Sequence, residues 1–498
     1  MTQGLSKKRI YGNVIFCVAV FSAMLVFFAV LHPIPIMDED DVIYTVLVRK
    51  AIPVPGSWNP SRMMPEVLTS LCGNLAALGT AFGLGRFIDC QVAVYGFVLS
   101  IFITVYVWAF FQLLEKRFSC SRFQAVCLSI LFLMLHFLIF RTEYSRNTFM
   151  FHTYDACCVF YYTVPAMLGC TMVMCFMKNP DETPVLNGLH PVKESLLLLV
   201  LYFEVFSNLF GSAILASYAG YRIVQNMFHK EKVYSKQNRI WFAILFCWLL
   251  AAVLEATGGR AAGVREQATE GTLSLPVRIV QAVVLFSKTL WHSNLFFKLL
   301  VLAVAIITTL LIVVRRKSNT GTVKPPAFGE TAIWGFATSA VVLLLCAAVE
   351  PRYTGRPEVF FPISFVVFLL LIQGMIIILY HYPACVRILP ILLIFVYSMT
   401  NTRLLTFQDS NPLRLNGHVA VAIENEIYES IIAAAEAGES EVTVRVIHSS
   451  ESGNWPHDGL IGEPMAQFFL KYGIIDHEIR VHTQPSDEMN AEYGVPIP

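Results

Sequence analysis

Residues 15–31 read IFCVAVFSAMLVFFAVL, and a few positions later the chain continues Ile36-Met37-Asp38-Glu39-Asp40-Asp41-Val42-Ile43-Tyr44. The first stretch is an unbroken apolar run, close to the roughly 20 residues a helix needs to cross a bilayer. The second sets four acids in succession just past its end. In a chain that is 56% hydrophobic and 14% charged, adjacent carboxylates must be solvated, bind a cation, or share a proton with a reacting group. A solvated boundary loop accounts for the acids taken alone. Later polar clusters that fall on the same side of the membrane turn the reading towards a site.

The 498 residues include 38 Phe and carry a net charge of +1, with a mean hydropathy of +0.61. A soluble domain has no core large enough for so many long uncharged segments, so the composition indicates an all-α polytopic membrane protein. No stripe of Lys and Arg interleaved with aromatics points to nucleic acid. The 12 cysteines lie mostly in apolar runs, without the spacing of a zinc or redox site or of a disulfide framework. Lys7-Lys8-Arg9 before the first apolar run resembles a signal peptide. The run is long, has no small-x-small cleavage site and is followed by many others, so it reads as an uncleaved first helix.

Candidate spans are 11–31, 90–113, 122–140, 158–177, 240–256, 287–314, 330–349, 358–380 and 384–400. Residues 66–85 hold Gly73, Asn74, Gly79, Gly83 and Gly85 and suit a juxtamembrane or re-entrant helix at least as well as a span. Residues 193–226 are too long for one untilted helix, and Glu204, Ser207, Asn208 and Gly211 break them near the middle into two. Lys7-Lys8-Arg9, Lys116-Arg117 with Arg122, the Arg222–Arg239 segment and Arg315-Arg316-Lys317 all become cytoplasmic if 66–85 does not span and 193–226 makes two helices. That gives about eleven spans, with the N-terminus cytoplasmic and the C-terminus outside. The loops 32–65, 142–157, 257–287 and 350–358 are then outside as well.

After Thr400 the pattern changes. Residues 417–437 read as an amphipathic helix, 441–447 alternate as a strand, 463–472 suit a helix and 478–482 a strand. The expected organisation is a transmembrane part over 1–400 and a small extracytoplasmic α/β segment over 401–498, packed on it.

The outer loops carry an unusual set of polar groups. They are the acids Asp38 to Asp41 with Arg62 and Glu66; Glu143 and Arg146, with His152 and Asp155; Glu204 and Asn208 at the helix break; Arg260 and Arg265; and Arg352 and Arg356. A carboxylate can take a proton from a hydroxyl nucleophile, guanidinium groups can hold a phosphate bidentately as it leaves, and grooves between helices can seat a lipid tail. Each arginine alone is more often a helix-end anchor, and His152 alone more often an interface histidine. Glu204, in an apolar run, is a functional candidate by default or a hydrogen-bond anchor at the break. No metal ligand set is assigned, although two of the acids Asp38 to Asp41 could hold a divalent cation such as Mg²⁺ or Mn²⁺.

Taken in order, these motifs resemble the GT-C-type polytopic glycosyltransferases, especially bacterial O-antigen glucosyltransferases and their relatives. The matching pieces are Asp40-Asp41-Val42-Ile43-Tyr44, Ser61-Arg62-Met63-Met64-Pro65-Glu66, the helix start Tyr161-Tyr162-Thr163-Val164-Pro165, the polar break Glu204-Val205-Phe206-Ser207-Asn208, the loops Gly259-Arg260 to Arg265 and Tyr353-Thr354-Gly355-Arg356, and Phe468-Phe469-Leu470-Lys471-Tyr472-Gly473-Ile474 near the end. The resemblance implies a GT-C-like fold in a bacterial inner membrane. It also implies a polyprenyl-phosphate sugar as donor, an envelope glycan or glycolipid as acceptor, and an outer-loop Asp as general base: Asp40 or Asp41, with Asp38 in reserve. The chain departs from the family in placing Asp38-Glu39 before the pair, and in having Thr257-Gly258-Gly259 where a Pro-Gly-Asn-type turn is expected before the arginine. A flippase or transporter for a lipid-linked saccharide would use Glu204 as a relay and should show an internal repeat, and none is visible. A polymerase or ligase for lipid-linked saccharides would share the substrates.

Overall fold

The computed structural model describes residues 2–36, 39–46, 61–140, 150–151, 156–178, 191–228, 238–258, 273–318, 328–400, 416–448 and 462–497. Helix dominates, as it must where no water is at hand to satisfy backbone polar groups. Among the described residues, eight helices are long and apolar enough to cross a membrane. The first is α1 (Thr2–Val26), which ends in a π-helical turn Phe27–Leu31. Short α2 (Glu39–Val46) and α3 (Met63–Ala81) follow, then the 30-residue α4 (Phe87–Lys116), α5 (Arg122–Leu138) and α6 (Ala156–Lys178). Next come α7 (Pro191–Val205), α8 (Leu209–Phe228), α9 (Arg239–Thr257), α10 (Leu275–Trp291), α11 (Leu295–Ser318), α12 (Phe328–Val349), α13 (Phe361–His381) and α14 (Leu389–Thr400).

Contacts between helix ends sort the bundle into two faces. At one face Arg9 of α1 pairs with Glu115 of α4 at 3.0 Å, Arg122 donates to Asn13 at 2.7 Å, and Asn226 donates to Asn238 at 2.7 Å. At the opposite face α2 and the start of α3 meet the start of α6 and the end of α7. The apolar run expected over 193–226 is two helices, α7 and α8, with the break at Phe206–Asn208. Asn208 caps α8 by accepting the Gly211 N–H at 3.0 Å. α3 stays at the acidic face: Met63 at its start meets Phe206, and Asn74 in its middle accepts the Tyr472 hydroxyl.

The expected span 287–314 is corrected, and so is the loop expected over 257–287. Helix α10 runs from Leu275 to Trp291, a turn follows, and Asn294 caps α11 by accepting the Phe297 N–H at 3.0 Å. Arg278 near the start of α10 donates to the Val349 carbonyl at 2.7 Å, and Thr289 near its end donates to the Thr354 carbonyl at 3.2 Å. Both contacts lie at the acidic face, so α10 runs along that face. The sequence Tyr161-Tyr162-Thr163-Val164-Pro165 is likewise no helix start. It lies inside α6, where Val159–Thr163 form a π-helical turn.

The residues after Thr400 form α15 (Gly417–Glu436), β1 (Glu441–Ile447), α16 (Glu463–Lys471), β2 (Arg480–Ser486) and α17 (Asp487–Tyr493). β1 and β2 pair in parallel, with Glu441 opposite Arg480 and Ile447 opposite Ser486. The second strand therefore begins later than expected, and α17 had no expected counterpart. This segment is tied to α4 by Asn425, which donates to Asp89 at 3.0 Å. Phe87 stands edge-on to Tyr428, Phe468 and Phe469 at centroid distances of 6.0, 6.0 and 5.2 Å. Gly417 backs onto the Pro33 carbonyl so closely that a Cβ there would lie 2.6 Å from it. Since truncation of a buried Phe costs about 3–5 kcal/mol, Phe87→Ala should loosen the C-terminal segment from the bundle. Limited proteolysis in nanodiscs should then release that segment from the variant well before the wild type.

Candidate functional site

Helix α2 sorts the acids by its period. Asp41, Tyr44 and Thr45 share the face turned inward, and Asp41 is 0% and Tyr44 1% exposed. Asp40 is on the neighbouring, exposed face. The Asp41 carboxylate accepts the Cys157 N–H at 2.6 Å on Oδ1 and the Ala156 N–H at 3.2 Å on Oδ2. These are among the backbone donors that the first turn of α6 leaves without helical partners. Thr45 returns its hydroxyl to the Asp41 carbonyl at 2.6 Å.

One turn along α2 from Asp40, the Tyr44 hydroxyl accepts from Arg62 Nη1. Burial pushes the Tyr44 hydroxyl well above the ordinary tyrosine range, against the opposing pull of the Arg62 guanidinium, and the charges of Asp40 and Glu66 add to the rise. The phenol therefore stays neutral at any working pH. Arg62, 3% exposed, lies 4.9 Å from the Tyr44 ring centroid and 4.0 Å from that of Tyr161. A desolvated guanidinium on an aromatic face is worth about 2 kcal/mol, and here two faces fix its plane. Its backbone is fixed too, because α3 begins at Met63, whose N–H donates to the Phe206 carbonyl at 3.1 Å, and the Met64 N–H donates to the Ser207 hydroxyl at 2.9 Å. Ser61 beside it donates to Glu255 of α9 at 2.5 Å.

A second arginine arrives from the turn after α12. Arg356 lies 5.1 Å from the Tyr162 ring centroid and 5.7 Å from that of Tyr353, pairs with Glu358 at 2.5 Å, and donates to the Cys158 sulfur at 3.3 Å. The Tyr161 and Tyr162 centroids are 4.5 Å apart. The two guanidinium groups are therefore carried on adjacent rings of one π-helical turn, a local geometry that recurs at functional sites.

The remaining expected residues fall in several places. Glu66 is buried one turn into α3 beside this group. Asn208 is spent on its helix cap. Arg352 is turned outward, its side chain 73% exposed. Asp38, Glu143, Arg146, His152, Asp155, Arg260 and Arg265 lie outside the described residues. Among the described residues no three His, Cys, Asp or Glu side chains gather as a metal site, and both oxygens of Asp41 are occupied by backbone donors. Sequence reasoning missed Ser61, Tyr161, Tyr162, Glu255 and Glu358 as site members. Ser61, Tyr161 and Tyr162, like Tyr44, lie in pieces that the motif order singled out without giving them a role, whereas Glu255 and Glu358 lie in none of them.

Glu204 stands apart. It is fully buried on α7, with neither carboxylate oxygen hydrogen-bonded among the described residues, where Asn208 and Ser207 make the bonds at the helix break. Gly169 of α6 makes room for it, since a Cβ there would lie 2.5 Å from Glu204 Oε1 and 3.2 Å from Ile214.

No family model matches the chain, and neither a curated protein nor a solved structure matches it.

Overpacking of this kind costs about 1–3 kcal/mol. Gly169→Ala should therefore lower the melting temperature in nanodiscs, and adding Glu204→Ala should recover part of the loss. A double-mutant cycle showing strict additivity would count against the contact.

Proposed function

We propose that the protein is a GT-C-type membrane glycosyltransferase. It would move a sugar from a polyprenyl-phosphate donor to an envelope glycan or glycolipid at the outer face of a bacterial inner membrane. The observation that carries this reading is the pair of arginines, Arg62 and Arg356, on the adjacent rings of Tyr161 and Tyr162, with Arg62 also bonded to Tyr44, one turn along α2 from Asp40. Positive charge fixed on rigid rings suits a phosphate whose charge grows as the sugar departs, because the donors need no rearrangement at the moment of reaction. An acid of the α2 pair removes the proton from the acceptor hydroxyl. The hydroxyl oxygen then bonds to the anomeric carbon as the bond to the phosphate oxygen breaks, and the phosphate leaves with the electron pair beside the arginines. The resemblance of the motif order to GT-C enzymes supports the choice of substrates.

The orientation follows from charge. Arg9, Arg122, Arg222 and Arg239 lie at the face opposite the site, as does the Arg315–Lys317 segment at the end of α11, so that face is the cytoplasmic one. With α5, α7 and α8 added to the eight long apolar helices, this gives eleven crossings, an internal N-terminus and an external C-terminal segment.

The buried carboxylate of Glu204, without a hydrogen-bond partner among the described residues, favours a second reading, in which the protein moves a lipid-linked saccharide across the membrane and Glu204 relays a proton. Radiolabelled sugar in a polyprenyl-phosphate donor series, incubated with proteoliposomes, separates the two. The transferase reading expects labelled acceptor. It also expects Asp40→Ala/Asp41→Ala to lower transfer by about 10²–10⁴-fold, the range for a lost general base, with insertion intact. Transfer that is undiminished in the double variant rejects the assignment of the base. Translocation without transfer, lost in Glu204→Gln, establishes the transporter.

A further inference from the structure

The two acids of α2 do different work. Asp40 is exposed and close enough to Tyr44 for its charge to act on the phenol. Asp41 is shut away from solvent, with one backbone N–H on each carboxylate oxygen, from Ala156 and Cys157. A hydroxyl arriving from outside would have to displace a helix cap to reach it. The same cap fixes the start of α6, and five residues further on in that helix stand Tyr161 and Tyr162, the supports of Arg62 and Arg356. Cys158, next to the capped residue, receives a hydrogen bond from Arg356 itself. Tyr44, on the inward face of α2 with Asp41, holds Arg62 from the other side.

We infer that Asp41 is a positioning residue: its carboxylate anchors the first turn of α6 and thereby sets both arginines, which leaves Asp40 as the acid that meets the acceptor. The anchoring stands on the hydrogen bonds alone, and the link to a phosphate site rests on the transferase reading.

Two readouts on purified protein in nanodiscs separate these layers. The first is modification of Cys157, followed by peptide mapping, with a water-soluble maleimide. Cys157 is 1% exposed and should be protected in the wild type. Asp41→Ala should raise its reactivity about tenfold, as expected for the loss of a helix cap, and Asp41→Asn, which keeps one acceptor oxygen, should lie between. The second is the affinity for undecaprenyl phosphate, measured on the folded fraction. It should fall about tenfold in Asp41→Ala and be partly restored in Asp41→Asn. A merely structural role would reduce the yield or the melting temperature and leave the affinity of the folded fraction unchanged.

Unaltered Cys157 protection in Asp41→Ala overturns the anchor. Exposed Cys157 with unchanged affinity overturns the positioning role. If undecaprenyl phosphate fails to bind even the wild type while Cys157 still responds, the transferase reading falls and the anchor survives.

Discussion

Two helix ends meeting head to tail underlie the whole arrangement. At the break after α7 the Phe206 carbonyl is released from helical pairing and the Ser207 hydroxyl, which donates to the Phe203 carbonyl, keeps its lone pairs for an outside donor, and at the start of α3 two N–H groups have no acceptor of their own. Each supplies what the other lacks, Met63 to the Phe206 carbonyl and Met64 to the Ser207 hydroxyl. In an apolar bundle an unmet backbone group costs several kcal/mol, so the junction has little freedom to slide. Arg62 is the residue immediately before that junction, and a long, rotamer-rich side chain thereby leaves the backbone from a fixed point. The rings of Tyr44 and Tyr161 then do for its tip what the junction does for its root.

The same economy recurs at the start of α6, where a side chain from α2 meets the orphan donors in place of water. Helix termini that must be satisfied anyway are satisfied by the elements carrying the polar groups of the candidate site. The acid helix, the arginine before α3 and the tyrosines of α6 thus brace one another. The C-terminal segment adds a further clamp, with Phe87 in its aromatic cluster and Tyr472 reaching Asn74 of α3.

Much of the helical framework was legible in the sequence because its signals are local. Apolar run lengths located most of the long helices, and Glu204 to Gly211 marked the break. Alternation around Val444 and Val446 marked the first strand. What was not legible is equally physical. The division between α10 and α11 hangs on Asn294 choosing to cap a helix, and nothing in an apolar window of twenty residues registers that choice. The different surroundings of Asp40 and Asp41 depend on the rotation of α2 against α6, which two neighbouring identical letters cannot reveal. Tyr161 and Tyr162 stand in the sequence only as the opening of a helix motif, and nothing local shows that Arg62 and Arg356, separated from each other by nearly 300 residues, land on them. Glu204 was flagged for the right reason, its apolar surroundings, but the hydrogen-bond role offered for it belongs to Asn208.

The π-helical turn at Val159–Thr163 has a consequence for how this site can vary through descent. Such a turn is an α-helix carrying one surplus residue, and each residue of an α-helix advances the chain by about 100° around its axis. Losing a single codon there would restore a regular helix and swing its first turn, with the amides that Asp41 grips, away from the aromatic pair. Substitutions could leave every side chain of the site intact and still not repair that swing. The length of this short stretch is therefore an inherited property in its own right, and a one-residue gap in a sister chain would mark a site that had lost its geometry or built another.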